Sequence, residues 1–155
     1  MKPQRIHRKR EGDLFRWSLK LCSISMSTVV VKRELFGEVG TFDPALEVCE
    51  DYDFWLRVTA RYPVLLVDAP LTVKQGGHFD QQSRKYFGLD RFRIYAIEKL
   101  LRANGLNDEQ RTLAFEELER KCRIYGRGCL KYDRKEEGDH YLGLPEKYRP
   151  PVDGR

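Results

Sequence analysis

The chain has 155 residues, 41% hydrophobic and 34% charged, so it is long enough for one domain with a real core and carries a heavily charged surface. No apolar run is long enough to cross a bilayer, and the basic N-terminus is not followed by an apolar stretch, which argues against a secretory signal peptide. The formal net charge of +5 is concentrated in Lys2, Arg5, Arg8, Lys9 and Arg10, a local arm rather than a protein-wide field.

In chain order, residues 1–12 read as an irregular basic segment. Asp13 is placed to cap a short helix with Leu14, Trp17 and Leu21 on one face. Ile24 to Lys32 is rich in β-branched residues and predicts a strand, with Val29-Val30-Val31 buried on both faces. A turn is expected at 33–36, then a loop marked by Gly37, Gly40 and Asp43-Pro44. A helix is predicted from about Glu50 to Ala60, with Asp51, Trp55 and Val58 on one side and an Asp53–Arg57 pair on another. Two short strands follow, 64–67 and 71–74, and Gln75-Gly76-Gly77-His78 forms a loop.

From Ser83 to about Ala103 the pattern is helical, with Asn104-Gly105 as its stop. Asn107 and Gln110 have the spacing of a capping box. Ala114, Leu118, Cys122, Tyr125 and Cys129 then form one amphipathic face. A shorter helix is expected at 136–142, and the last residues form a frayed tail. The four cysteines form no CxxC pair and have no His at zinc spacing, which suggests a reduced, cytoplasmic setting.

Chemistry concentrates in Cys49 to Val58. Glu50 and Asp51 open a helix, where the dipole and the free N–H groups keep a carboxylate ionised. An ionised, positioned carboxylate is what a general base requires. The like charge of Glu50 would raise the proton affinity of the pair. The plain alternative is that the two acids only cap the helix.

Thr28 to Lys32, Leu35-Phe36, Val39-Gly40, Phe42-Asp43-Pro44, Glu50 to Arg57 and Val73 to Ser83, taken in this order, resemble the C-terminal half of the family 2 glycosyltransferases over roughly residues 5–100. The resemblance implies an α/β fold: a partial GT-A (nucleotide-diphospho-sugar transferase) domain over 1–82, a helical extension over 83–148 and a tail at 149–155. It implies an inverting transfer of a sugar from a nucleotide-sugar to an acceptor hydroxyl, in bacterial cell-surface glycan synthesis, with Asp51 as catalytic base. The acceptor would be a glycan or lipid-linked, and the setting the cytoplasm or the inner face of the membrane.

Glu50, Trp55 and Arg57 are the supporting candidates. Trp55 either floors the acceptor site or packs in the core, and Arg57 either orients a carboxylate of the site or pairs with Asp53. His78 matches a position that joins the metal or the diphosphate in the family, and Gly76 and Gly77 allow close backbone approach. The family uses a divalent metal, Mn²⁺ or Mg²⁺, but its Asp-x-Asp metal motif and its nucleotide-binding βα units have no counterpart here. Asp51-Tyr52-Asp53 has that spelling within the base motif and is not equated with it. The chain therefore looks like an acceptor-side fragment, its partner a missing N-terminal half or a second copy of itself. The alternative is a non-catalytic remnant that acts as a protein-interaction module through the helical hairpin 84–132. Nucleic-acid binding by the basic arm is the weakest reading, because no aromatic residues are interleaved to stack on bases.

Overall fold

A computed structural model of the chain describes residues 9–73 and 88–150. Six α-helices are present among them: α1 Phe15–Lys20, α2 Glu34–Val39, α3 Glu50–Thr59, α4 Asp90–Arg102, α5 Asp108–Lys131 and α6 Lys135–Gly143. Short 3-10 turns occupy Met26–Thr28 and Leu144–Tyr148.

The expected α/β architecture is overturned: the described residues form a small all-helical fold with no strand and no sheet. Their one β feature is an antiparallel bridge between Gly12 and Val64, with hydrogen bonds of 2.7 and 2.9 Å. The predicted strand 24–32 instead holds the turn Met26–Thr28 followed by an extended Val29 that joins no strand among the described residues. The predicted strand 64–67 and the described part of 71–74 likewise form no ladder beyond that bridge among the described residues. The reason is that a strand is stabilised by its neighbours. These segments have strand composition but no adjacent strand among the described residues. The turn expected at 33–36 is the start of α2, in which Glu34 stands in the first turn.

Helix α3 is the centre of the molecule. Seven of its ten residues are buried. Tyr52 and Leu56 join a core with Phe15 and Leu19 of α1, Ile94, Ile97, Leu100 and Leu101 of α4, and Leu118, Cys122 and Cys129 of α5. On the other side Phe54, Trp55 and Val58 join Leu14, Ile24 and Val39 in a second cluster, against which Val29, Val31, Leu35, Phe36 and Val64 pack. Apolar side chains on two sides of α3 place it between two apolar layers, while Glu50, Asp51 and Arg57 remain partly exposed.

The C-terminal helices form as the periodicity requires. The capping box closes α5: Asn107 Oδ1 accepts from Gln110 N at 2.8 Å, and Gln110 Oε1 accepts from Asn107 N at 3.2 Å. Cys122 and Cys129 are wholly buried, small members of the apolar face. Helix α6 folds back on α5 where two glycines meet. A Cβ on Gly126 would lie 3.0 Å from Gly138 O, and a Cβ on Gly138 would lie 3.0 Å from Gly126 O. The buried face of the α4–α5 hairpin packs on this core and on α3.

Candidate functional site

Asp51 is the second residue of α3, in its first turn with Glu50 and Asp53. The helix is entered through Cys49, whose left-handed backbone (φ 62°) turns the chain sharply, and no side chain caps the helix. Orphan N–H groups at that end favour negative charge. The Oδ1 of Asp51 accepts from Tyr52 N at 2.7 Å, and its Oδ2 accepts a thiol bond from Cys22 at 3.2 Å. Among the described residues Asp51 has no ion-pair partner, and Glu50 has neither an ion pair nor a hydrogen bond through its side chain. Both are only partly buried.

Cys22 is the residue that sequence reasoning missed. It lies 29 positions from Asp51, and nothing in its local pattern marks it. Burial, then the negative charge of Asp51, push its thiol up to about 12. It therefore stays protonated at neutral pH and donates to the carboxylate and to Ile24 O, 3.4 Å away. Burial also raises the Cys49 thiol, opposed by the Arg93 guanidinium.

Two positions along the helix, Asp53 has the opposite fate. It is 1% exposed. Its Oδ2 accepts from Arg57 at 2.8 and 3.1 Å and from Lys99 at 3.1 Å. Lys99 also holds Asp43 at 2.7 Å, and this bond is the main cause that keeps the Asp43 carboxyl below its usual range. Arg57 carries on to the carbonyls of Val39, Gly40 (3.2 Å) and Thr41 (2.8 Å). Of the two readings of Arg57, the pairing with Asp53 is the one present, and it ties the 39–43 loop to α3 and α4. Gly40, at φ +81°, lets that loop turn beneath the guanidinium.

Trp55 is 3% exposed and lies in the second apolar cluster, in edge contact with Phe54 at a centroid distance of 5.0 Å. It is therefore a core residue rather than an open stacking floor, and its Nε1 has no hydrogen-bond partner among the described residues. Gly76, Gly77 and His78 lie outside the described residues.

The fit to a divalent metal is poor among the described residues. No group of three or more His, Cys, Asp or Glu side chains is placed to hold one. Within Asp51-Tyr52-Asp53, Asp53 is already committed to two cations while Asp51 faces a thiol, so the two carboxylates do not act as a joint ligand pair. A depression of about 210 Å³ lies elsewhere, between α1 and the start of α5, lined by Asp13, Arg16, Trp17, Asn107, Glu109 and Gln110 among others; Asp51 is not part of it.

A second buried charge group was hidden inside the periodic face of α5. Lys121, 2% exposed, reaches Glu117 at 3.2 Å and Asp90 at 3.5 Å, and Glu117 pairs with Arg120 at 2.6 Å. Tyr52 lies near these charges and donates its hydroxyl to Leu19 O at 2.5 Å; burial raises its phenol well above the ordinary value. The i,i+4 spacing of Glu117 and Lys121 was the one sequence signal, and it is as common on solvated faces.

Compared with protein-family models, curated proteins and solved structures, the chain finds no match. No helix among the described residues is long and apolar enough to cross a membrane.

Proposed function

We propose that the chain carries the acceptor-activating part of an inverting glycosyl transfer, with Asp51 as the base. The reading rests on the ordered sequence resemblance, and one observation carries it further. Of the two aspartates at the start of α3, Asp53 is consumed by Arg57 and Lys99, whereas Asp51 is partly exposed and, among the described residues, meets only a thiol and a backbone amide. A base must be ionised yet exchangeable, and a thiol bond is weak enough for an alcohol to displace.

In the proposed step an acceptor hydroxyl donates its proton to Asp51 Oδ2 while its oxygen attacks the anomeric carbon from the face opposite the leaving group. The bond from that carbon to the diphosphate oxygen breaks, and its electron pair leaves with the nucleoside diphosphate. Configuration inverts because a single displacement occurs. Donor binding is assigned to no described residue, and no step is routed through a metal.

The test is sugar transfer from a panel of nucleotide-sugars, using the chain with an extract supplying acceptors and any partner polypeptide, and comparing wild type with Asp51→Asn. The amide keeps the shape of the carboxylate and removes the base. A loss of about 10²-fold or more is expected. Equal transfer by both proteins, or no transfer attributable to wild type, overturns the proposal.

A further inference from the structure

The whole formal charge of +5 sits in residues 1–20. Arg16 and Lys20 add to the five basic residues of the first ten, against Glu11 and Asp13 alone, and the remainder of the chain is balanced. Both acids are turned to backbone amides: Glu11 accepts from Leu66 N at 3.5 Å and Asp13 from Phe15 N at 2.9 Å. Helix α1 buries Phe15, Ser18 and Leu19. At the pitch of an α-helix, Arg16, Trp17 and Lys20 then share the opposite, exposed side. Leu21 follows them, held to the helix by its N–H on Trp17 O at 3.3 Å.

Trp17 gathers the cations. The Arg10 guanidinium lies 3.8 Å from its ring centroid and Lys20 Nζ lies 5.7 Å from it. Among the described residues none of Arg10, Arg16 and Lys20 has an ion-pair partner. The depression beside Arg16 and Trp17 also holds Asp13 and Glu109, so acids bound the basic surface there. Two apolar side chains stand among the charges: Trp17 is 37% exposed and Leu21 48%. This combination decides between anionic partners. A nucleic-acid strand stacks its bases on bare aromatic faces, and one face of Trp17 is already covered by Arg10. Such a strand also gains little from an exposed leucine. A bilayer surface takes both, because indole and leucine enter at headgroup level while Arg and Lys meet the lipid phosphates.

We infer that the exposed side of α1, with Arg10 laid on Trp17, docks the chain reversibly on an anionic phospholipid surface. Two apolar side chains bury too little area to hold the chain alone, and charge alone does not seat a ring among headgroups; the two act together. Helix α1 keeps its place meanwhile, because Phe15 and Leu19 pack on Tyr52 and Leu56 of α3 from the other side. The inference goes beyond the glycosyl-transfer reading and does not use Asp51.

Co-sedimentation of the full chain with vesicles tests it, using phosphatidylcholine alone and phosphatidylcholine with one-quarter phosphatidylglycerol, at about 0.1 M sodium chloride. Wild type is expected on the anionic vesicles and not on the neutral ones. The variant Arg16→Gln/Lys20→Gln is expected to bind about 30-fold more weakly, roughly fivefold for each cation removed. Both side chains are exposed, so its far-ultraviolet circular dichroism should match wild type. Tryptophan emission gives a second reading. Trp55 is 3% exposed, so a blue shift on adding anionic vesicles reports Trp17, and Trp17→Phe should abolish it. No binding to anionic vesicles, equal binding to neutral ones, full binding by the folded double variant, or emission that does not move overturns the inference. So does a single-stranded oligonucleotide that binds more tightly than the vesicles at equal phosphate concentration, which would assign the surface to nucleic acid.

Discussion

Lys99 Nζ lies 3.1 Å from Asp53 Oδ2 and 2.7 Å from Asp43 Oδ2, so one ammonium group on α4 fastens both the middle helix and the loop that precedes it. Asp53 is 1% exposed, and its negative charge is balanced by Lys99 and Arg57 together. Asp53→Asn leaves those two cations facing a neutral amide. A loss of about 3 kcal/mol is expected, because breaking a buried pair strands its partners. Chemical denaturation of the variant checks this. An unchanged midpoint would mean that the cluster contributes nothing net.

Acid titration reads the same cluster. Lys99 holds the Asp43 carboxyl below its ordinary value of 3.8. A carboxyl depressed in the folded state adds stability that is present above the ordinary value and is lost as pH falls through the folded one. Stability should therefore drop below about pH 4. Lys99→Met should remove the Asp43 share of that drop while lowering stability at neutral pH. Urea midpoints between pH 2 and 7 for the two proteins are the measurement, and parallel curves would contradict the assignment.

Cys22 gives an alkaline counterpart. Its thiol is raised from 9.0 to about 12, chiefly by burial and then by Asp51. The folded state keeps this proton when the unfolded chain has lost it. The associated stability is full below pH 9 and disappears as pH rises towards 12. Tyr52, raised well above 10.0 by burial, acts in the same direction. Cys22→Ala should flatten the alkaline decline in part.

The same thiol reports on Asp51. At pH 8 the thiolate fraction of Cys22 should lie about a thousandfold below that of a free cysteine, so alkylation should be correspondingly slow. Asp51→Asn removes a neighbouring negative charge and should speed it. Mass spectrometry of iodoacetamide-labelled peptides would detect either outcome. A fast-reacting Cys22 in the folded wild type would place the thiol away from the carboxylate.

Helices α5 and α6 meet through Gly126 and Gly138. A methyl group on Gly138 would meet Leu130 at 2.7 Å and the Gly126 carbonyl at 3.0 Å. The leucine is flexible, but the carbonyl belongs to a helix backbone. Gly138→Ala should cost about 1–3 kcal/mol by forcing the helices apart, whereas Gly128→Ala, which meets nothing within 4 Å, should not. Thermal unfolding of the two variants makes the comparison.

Local pattern alone was enough for the longer helices, whereas α2 read as a turn and a loop. The capping box at Asn107 and Gln110, the apolar spacing from Ala114 to Cys129 and the Asp53–Arg57 pair all act within a few residues of one another, where the geometry of a helix is set. Three features depended on the assembled chain. The β-branched segments at 29–31 and 64–67 carried a strand's composition, but a strand exists only beside a partner, and no such partner occurs among the described residues. Trp55 and Arg57 each carried two readings until packing buried the first and tied the second to Asp53. Cys22 reached Asp51 only because α1 and α3 pack together across 29 positions of sequence. Residue type and spacing determine which local conformations are cheap; the burial of one segment by another decides that Asp53 is neutralised by two cations while Asp51 meets none among the described residues.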